Sequence, residues 1–326
     1  MSLLIRDATV ITVDAHRRIF EPGAVYVEGA RIVDVGPSDE VARRHATATR
    51  VLDGRRKVVI PGFVSAHTHV GSTIFRGRAE DAGLGCVTGM YFPMATVVTR
   101  PERLAIGSLT YAELLRSGVT TVLEMEEDAD VFAPFVERLG IRSLMGVMTL
   151  DAEVEGLRHD QYRYDPALRH AQLRQAVEFA EAWHGKADGR ISVIMAPNYT
   201  ISSSPELLRE SRAVADRLGL RLSIHLGWGP AERIVTQRLH GLGPFEYARA
   251  NGFLAPDVVA AHCYVIEDPD IALLAETGTA VAHCPLMNSV RGLIAPLGEF
   301  RHRGITVGLG IDTCSRTTST WSARAS

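Results

Sequence analysis

The chain has 326 residues, of which 46% are hydrophobic and 22% are charged, and its formal net charge is -3. This length allows one large barrel or two domains, and the charge gives no reason to expect nucleic acid, because the arginines are scattered and only Lys57 and Lys186 are lysines. No apolar run approaches the roughly 18 residues of a membrane span, and the N-terminus does not have the order of a signal peptide. We therefore expect a cytoplasmic protein without a membrane partner, and we leave open a homo-oligomer.

The cysteines support the same compartment. None of them forms a C-x-x-C pair, and two directly follow a histidine at the end of an apolar run, so free thiols in a reducing compartment are expected. They are Cys86, Cys263, Cys284 and Cys314.

The chain begins with a small β unit over residues 1–57. Short β-branched runs are broken there by Asp-Gly and Glu-Gly turn signals, and only one short polar stretch could be helical. The runs are L-L-I-R-D-A-T-V-I-T-V-D, A-V-Y-V-E-G-A-R-I-V-D-V-G and R-V-L-D-G.

From residue 58 to residue 326 the pattern changes to strands that alternate with helix-length segments, which is typical of a parallel sheet with crossover helices. Helical spacing is clearest over residues 101–116, 131–139 and 166–183, and in the segment that opens at Ser204. Eight apolar runs can be counted as strands, and each except the first follows a plausible helix. Eight such units over roughly 250 residues predict a (β/α)₈ TIM barrel of the α/β class.

The first of these strands carries an unusual ending. The stretch V-V-I-P-G-F-V-S-A-H-T-H places His67 and His69 where a buried strand would normally reach turn residues. Alternate residues of a strand face the same way, so the two imidazoles point together and could bind one borderline-soft cation such as Zn²⁺. An isolated H-x-H pair is, however, equally compatible with a solvated strand end.

Other strand ends decide between these interpretations. Histidines also end the fifth, sixth and seventh predicted strands, and an aspartate ends the eighth; barrel enzymes build their active sites at this face. A metal site is therefore the preferred hypothesis for the set. Its members are His67, His69, His225, His262, His283 and Asp312.

These motifs resemble the amidohydrolase superfamily, and within it the cytosine deaminase-like, chlorohydrolase-like branch. The matching stretches are V-I-P-G-F-V-S-A-H-T-H, the Arg76-Gly77 pair, S-G-V-T-T-V, I-H-L, A-H-C, L-L-A-E-T-G-T-A-V-A-H-C-P-L-M-N-S and V-G-L-G-I-D. The resemblance implies that residues 1–57 are part of a β-sandwich and that residues 58–326 form a metal-dependent barrel. It also implies hydrolysis of carbon-nitrogen or carbon-halogen bonds, commonly in purines, pyrimidines or triazines.

The resemblance assigns roles to the strand-end residues. His67, His69, His225 and Asp312 match the metal ligands, and His262 matches the sixth-strand histidine that touches the reacting water or substrate. Asp312 would also act as the catalytic base, and His283 matches the histidine of the seventh-strand H-C-P, which we take as catalytic with His262 and Asp312. Three imidazoles and one carboxylate leave an open position on Zn²⁺ or Fe²⁺ for water.

A single metal ion is expected. Two-metal members of the superfamily usually bridge their ions with a carboxylated lysine on the fourth strand, and neither Lys57 nor Lys186 lies there. Glu124 and Glu126 end the second strand and could contribute a carboxylate, but beside Glu127 we expect them to begin an acidic, solvated loop.

Two substrate-side positions depart from the family. The deaminases carry a proton-shuttling Glu three residues after the fifth-strand His, where this chain has Trp228, and an indole cannot shuttle a proton. Glu232 could fold back toward the metal, although a solvent-facing helix start is expected. Asn198 replaces a fourth-strand His that many relatives use for substrate, so Asn198 and Trp228 are the candidate substrate-binding residues.

The chain after Asp312 shows no apolar periodicity, whereas relatives continue with a helix and sandwich strands. The expectation is a truncated product that lacks the last barrel helix and the C-terminal sandwich strands, and that is poorly soluble when expressed alone.

Three functions remain open from the sequence. The first is a mononuclear metal hydrolase of a small, nitrogen-containing heterocyclic compound. The second is a catalytically impaired homologue, and the third is an amide or ester hydrolase of the same superfamily. The segments that would select the substrate, residues 71–96 and 150–163, contain no recognisable motif.

Overall fold

Two sheets follow one another along the chain. The computed structural model describes residues 1–76, 87–91, 93, 97–290 and 292–313. Met1–Gly62 and the residues from Phe63 onward form separate compact units. Cys86, Cys314 and the segment after Thr313 lie outside the described residues, as does most of the predicted substrate segment 71–96.

The first unit is a five-stranded sheet with one helix, Ser38–Arg44. β1 is the central strand: it pairs antiparallel with β2, and parallel with β4 and β5. Val58 and Val59, which the sequence analysis placed with the barrel, therefore belong to this sheet by pairing. The strands are β1 Ser2–Ile11, β2 Ile19–Glu28, β3 Arg31–Pro37, β4 Arg50–Asp53 and β5 Val58–Val59.

The second unit is a nine-stranded sheet in which all pairs are parallel. Its strands follow the apolar runs of the sequence closely, because most of each run is buried, as is usual in parallel sheets. Phe63 and Val64 at the start of the first barrel strand and Leu309 near the last are exposed. The strands are β6 Phe63–His69, β7 Val119–Glu126, β8 Arg142–Thr149, β9 Ile191–Pro197, β10 Arg221–Leu226, β11 Val258–His262, β12 Ala280–His283, β13 Val307–Leu309 and β14 Asp312–Thr313.

The last two strands close this sheet into a barrel. β13 pairs with β12, and β14, two residues further on, pairs with β6 through Asp312 and Thr68. The backbone between them is held by two hydrogen bonds: Gly310 N–H donates to the carbonyl of His283, and Ile311 N–H to that of His67, at 2.8 and 3.0 Å. β13 and β14 are thus two segments of one eighth strand, and the sheet is the predicted eight-membered barrel.

Helices connect the barrel strands, and their ends carry the expected signals. Ser204 accepts a hydrogen bond from Leu207 N–H at the start of one helix, and Asp165 accepts one from Ala167 N–H at another. Among the described helices none is both long and apolar enough to cross a membrane. The helices are Arg100–Arg116, Ala129–Leu139, Val154–Arg158, Pro166–Trp183, Pro205–Leu218, Pro230–His240, Pro244–Ala250, Asp268–Thr277, Pro285–Val290 and Leu297–His302.

Candidate active site

Five polar side chains meet at the carboxyl ends of the barrel strands. The imidazole ring of His67 lies 4.7, 4.8 and 5.4 Å from the rings of His69, His225 and His262, measured between centroids. The carboxylate of Asp312 approaches from β14, with Oδ1 3.7 Å from His67 Nε2 and 3.9 Å from His69 Nε2. All five residues are buried. The barrel therefore brings together the four predicted metal ligands and His262.

Backbone carbonyls fix the tautomers of two of these rings. His69 Nδ1–H donates to the carbonyl of Met125 at 2.6 Å, and His225 Nδ1–H donates to that of Asn198 at 2.8 Å. A carbonyl can only accept, so each Nδ1 carries the hydrogen, and Nε2 is the atom of each ring that can offer a lone pair to a metal. The two Nε2 atoms lie 3.0 Å apart. A cation bound by both removes the repulsion of two facing lone pairs, and oriented imidazoles of this kind are typical of metal sites.

His67 supplies a second indication that the cluster suits a cation. Neither of its ring nitrogens has a hydrogen-bond partner among the described residues, although the side chain is completely buried. Burial, together with the neighbouring histidines, holds the pKa of His67 well below its usual value, so the ring is neutral. A buried, neutral, unpartnered imidazole is costly as a structural residue and suitable as a metal ligand, so the donor set fits one divalent ion.

The backbone is also unusual at this site. His262, Cys263 and Asp312 have φ angles of 82°, 49° and 61°, in the left-handed region that residues with a side chain rarely occupy. Such conformations persist only where the surroundings enforce them, and they cluster at functional sites. Here they end β11 and begin β14, and so turn His262 and Asp312 toward the barrel axis.

A cavity opens beside the cluster. In the described part of the chain it is lined by His69, Ser72, Tyr91, Glu126, Glu127, Met148, Asn198, Tyr199, His225, Trp228, His262, Asp312 and Thr313. Both predicted substrate-binding residues, Asn198 and Trp228, lie in this wall. Sequence reasoning missed Tyr199, whose ring stacks on that of His225 with centroids 4.5 Å apart, although Tyr199 directly follows Asn198.

Two of the lining side chains carry unused hydrogen-bonding groups. The amide oxygen and nitrogen of Asn198 and the indole Nε1 of Trp228 are buried without a partner among the described residues. Unpaired buried polar groups are rare in folded proteins and cost free energy, so each requires a reason. A bound polar ligand in the cavity would supply it.

The expectation of a solvated acidic loop after the second strand is wrong. Glu124 is fully buried and accepts a hydrogen bond from the Tyr111 hydroxyl, while burial raises its pKa to about 7. Glu126 is also buried, accepts a hydrogen bond from Gly71 N–H at 3.0 Å and lines the cavity. Burial, followed by the charges of Glu127 and Glu124, raises the pKa of Glu126 well above its usual value. The backbone at Gly71, just after His69, thus contacts the carboxyl of Glu126, whereas Tyr111 contacts that of Glu124.

The expectation of a solvent-facing Glu232 is wrong as well. Its carboxylate is buried at the start of the helix Pro230–His240, where it accepts hydrogen bonds from the Thr200 hydroxyl at 2.7 Å and from Trp228 N–H at 3.0 Å. Burial raises its pKa to about 8. Glu232 is not among the described residues that line the cavity, so it holds the loop that carries Trp228 and does not face the metal cluster.

His283 lies at the end of β12, where the sequence analysis placed it. Its ring is buried, with Nδ1 3.4 Å from the amide nitrogen of Asn288, and it is not among the described residues lining the cavity. Its catalytic role stays a prediction. The next residue, Cys284, was treated only as a free thiol, yet its sulfur lies with ligand atoms of His262 and Asp312 within 4.8 Å of one another.

The sequence is related to those of known hydrolases. A sequence profile of the amidohydrolase family matches residues 58–324, and one of an imidazolonepropionase-like composite domain of bacteria matches residues 23–48. A 5-methylthioadenosine/S-adenosylhomocysteine deaminase of Symbiobacterium thermophilum is 32% identical over 96% of this chain and 70% of its own length. A 5'-deoxyadenosine deaminase of Methanosarcina barkeri is 31% identical over 96% of this chain and 69% of its own.

Solved structures show the same architecture. An adenosine deaminase from Xanthomonas campestris with bound zinc has a TM-score of 0.81 and 27% identity, over 96% of this chain and 69% of that one. The zinc complex of atrazine chlorohydrolase from Arthrobacter aurescens has a TM-score of 0.84 and 23% identity, over 95% and 72% of the two chains. The predicted metal-hydrolase barrel fold is thereby confirmed.

Proposed function

Because the chain belongs to the amidohydrolase family, we propose that it is a zinc-dependent hydrolase that releases the amino group of an aminopurine nucleoside. The observation that carries this proposal is the facing pair of Nε2 atoms of His69 and His225, 3.0 Å apart beside Asp312 in a cavity. Three of the four related proteins named above are deaminases of adenosine or its derivatives, which supports this substrate class. The reaction breaks a carbon-nitrogen bond that is not a peptide bond.

In this proposal His67, His69, His225 and Asp312 hold one zinc ion, with Fe²⁺ as the alternative. When bound, such an ion lowers the pKa of water to near 7 and acts as a Lewis acid. Asp312 takes the proton of the attacking water, and His262, whose Nδ1 lies 4.0 Å from Asp312 Oδ2, hydrogen-bonds the oxygen that becomes negatively charged.

The substrate base occupies the cavity beside these residues. Tyr199 and Trp228, whose rings pack against each other with centroids 5.0 Å apart, supply an aromatic wall, and the amide of Asn198 offers both a donor and an acceptor. A planar heterocycle with polar edges fits this combination, because an aromatic contact holds one face and hydrogen bonds select its edge.

A second candidate follows from Trp228. If no other group protonates the leaving nitrogen, a substrate whose leaving group needs less protonation, such as an ester, is favoured; an amide is the other substrate of this second candidate. The same indole would also permit a catalytically impaired homologue that only binds its ligand.

One set of measurements separates these functions. The purified protein is analysed for metal, then assayed for ammonia release from adenosine, 5'-deoxyadenosine and 5-methylthioadenosine, and for cleavage of small amides and esters. We expect about one zinc per chain and ammonia from at least one nucleoside, abolished by a chelator. Amide or ester cleavage without ammonia would favour the second candidate, and a zinc-loaded protein inactive on the whole panel would favour the impaired homologue.

We also propose a cytoplasmic location, which is supported by the two described cysteines, Cys263 and Cys284. Both are buried free thiols.

A further inference from the structure

The proposed deamination needs an acid, and its usual source is absent. An amino group leaves a heterocycle as ammonia only when its nitrogen receives a proton. The family's glutamate after the fifth strand is Trp228 here, and the indole N–H donates a hydrogen bond but is too weak an acid to protonate a leaving group. Glu232 is held under the loop by Thr200 and by the backbone of Trp228.

Three carboxyl groups line the cavity in the described part of the chain: Glu126, Glu127 and Asp312. Asp312 belongs to the metal cluster. Glu127 forms an ion pair with Arg103, whose Nη1 lies 3.3 Å from Glu127 Oε2. Glu126 is the one of the three without such a pair, and only 2% of its surface is exposed.

Glu126 is positioned by the same backbone segments that orient His69, one of the proposed metal ligands. Gly71 N–H, two residues after His69, donates to Glu126 Oε1 at 3.0 Å, and the carbonyl of the preceding Met125 accepts from His69 Nδ1. A side chain at Gly71 would come within 3.0 Å of Glu126 Oε2, so the glycine lets the carboxyl lie against the backbone. The end of β7 thus presents this carboxyl to the cavity that contains Asp312.

We propose that Glu126 is the acid that protonates the departing amino nitrogen, an inference that rests on the proposed deamination. Burial and the neighbouring carboxyls of Glu127 and Glu124 raise the pKa of Glu126, which favours its protonated form. The water oxygen forms a bond to the carbon that bears the amino group, and one water proton passes to Asp312. Glu126 gives its proton to the nitrogen, and the carbon-nitrogen bond breaks with its electron pair on ammonia. The proton held by Asp312 then restores Glu126, so one water is consumed and one ammonia is released.

The test compares two substrates that differ only in the leaving group. A 6-aminopurine nucleoside requires protonation of its leaving group, whereas the 6-chloropurine analogue loses chloride, which does not. For Glu126→Gln we expect kcat to fall about 10²- to 10⁴-fold on the amine while the chloro substrate changes little. The ratio of the two rates does not depend on the fraction of folded or zinc-loaded enzyme, so it remains informative for an unstable variant.

The matched control is Glu124→Gln, which removes a buried carboxyl from the same face of β7. Glu124 is not among the described cavity-lining residues. The ratio of the rates on the amine and chloro substrates should therefore be the same in Glu124→Gln as in the parent. Infrared spectroscopy gives a readout apart from turnover, since the band of a protonated carboxyl should be lost in Glu126→Gln.

The outcomes separate this inference from the proposed function. A parent enzyme that binds zinc but releases no ammonia from any nucleoside overturns the proposed function. A parent that deaminates, with an unchanged amine-to-chloro ratio in Glu126→Gln, overturns only the role of Glu126. If Glu126→Gln cannot be purified, Glu126→Asp is measured instead, and an equal loss on both substrates again overturns the role.

Discussion

At the scale of single residues, three buried side chains at the site, those of His67, Asn198 and Trp228, carry polar atoms without a hydrogen-bond partner in the described part of the chain. Neither ring nitrogen of His67 forms a hydrogen bond among the described residues. No hydrogen bond therefore explains why this imidazole is buried, whereas coordination of a metal would. Asn198 and Trp228 are in the same situation on the substrate side. Such groups lower stability when the site is empty, and each can be tested by one substitution.

His67→Ala should lose most of the bound metal. The change removes one of four proposed ligands and leaves a gap in the first coordination position on β6. Metal analysis after gel filtration should find about one equivalent in the parent and a small fraction of this in the variant. His16→Ala, at an exposed position of the N-terminal unit, is the control. Two tightly bound ions in the parent would contradict the single-metal site.

Trp228→Phe should weaken substrate binding without lowering stability. The indole N–H has no partner in the described part of the chain, so its removal leaves no protein group unsatisfied. If the N–H binds substrate, its loss should raise KM by about 3- to 10-fold, the equivalent of one hydrogen bond, at nearly constant kcat. Trp183→Phe, on a helix outside the cavity, is the control. An unchanged KM would remove Trp228 from the substrate-binding residues.

At the scale of secondary-structure elements, the eighth strand and the second strand explain how the site is held. The eighth strand must pass close to the first to close the barrel, and it does so with glycine. A Cβ on Gly310 would lie 2.9 Å from Cys284 Sγ and 3.0 Å from His67 Cβ. The second strand, β7, buries two glutamates on one face.

Gly310→Ala should lower both stability and metal content. The added methyl group has no space, so either the eighth strand or His67 must move, at a cost of about 1 to 3 kcal/mol. Thermal unfolding and metal analysis of the same sample measure the two effects. Gly298→Ala is the control, because a Cβ there meets no atom within 4 Å and its φ is not positive. A Gly310→Ala protein with the melting temperature and zinc content of the parent would refute this account of barrel closure.

Glu124→Gln should stabilise the protein increasingly as the pH rises. Burial raises the pKa of Glu124 from 4.5 to about 7, so the folded state keeps a proton that the unfolded state releases. Stability is therefore greatest below pH 4.5 and is lost up to about pH 7, by about 3 kcal/mol in all. Gln has no such proton, and it can still accept from Tyr111. Melting temperatures of variant and parent should diverge between pH 4.5 and 7, and a constant difference would contradict the raised pKa.

At the scale of the whole molecule, the site joins distant parts of the chain. The proposed ligands come from the first, fifth and eighth barrel strands, and these meet only after the parallel sheet has closed. A metal bound by the folded state alone must then contribute to global stability. The chain spans 70% and 69% of the lengths of the two curated relatives described above.

Removal of the metal should lower the melting temperature of the barrel. Occupancy at 100 times Kd corresponds to about 2.7 kcal/mol, and this amounts to roughly 5 to 10 °C for a unit of this size. Calorimetry with and without a chelator measures the shift. His67→Ala is the control, since a protein without the site should not respond. Equal melting of the parent in both conditions would mean that the cluster does not bind metal tightly.

The sequence by itself determined the barrel and which side chains meet at the carboxyl ends of its strands. Each strand of a parallel barrel is buried on both faces and therefore reads as an apolar run, and a polar residue that ends such a run must lie at the catalytic face. His67, His69, His225, His262 and Asp312 could be found in this way without knowing any distance. The family resemblance, which the comparisons confirm, added the expected hydrolysis of carbon-nitrogen bonds.

Only the tertiary structure decided the environment of the carboxyl groups. Three glutamates lie near strand ends or at a helix start: Glu124, Glu126 and Glu232. At such positions the local sequence does not distinguish a buried side chain from a solvated one. What buries them is distant in sequence: Tyr111, the loop at Gly71 and Thr200. Local periodicity records which way a residue points within its own element, but the pKa of a carboxyl depends on what other elements place around it.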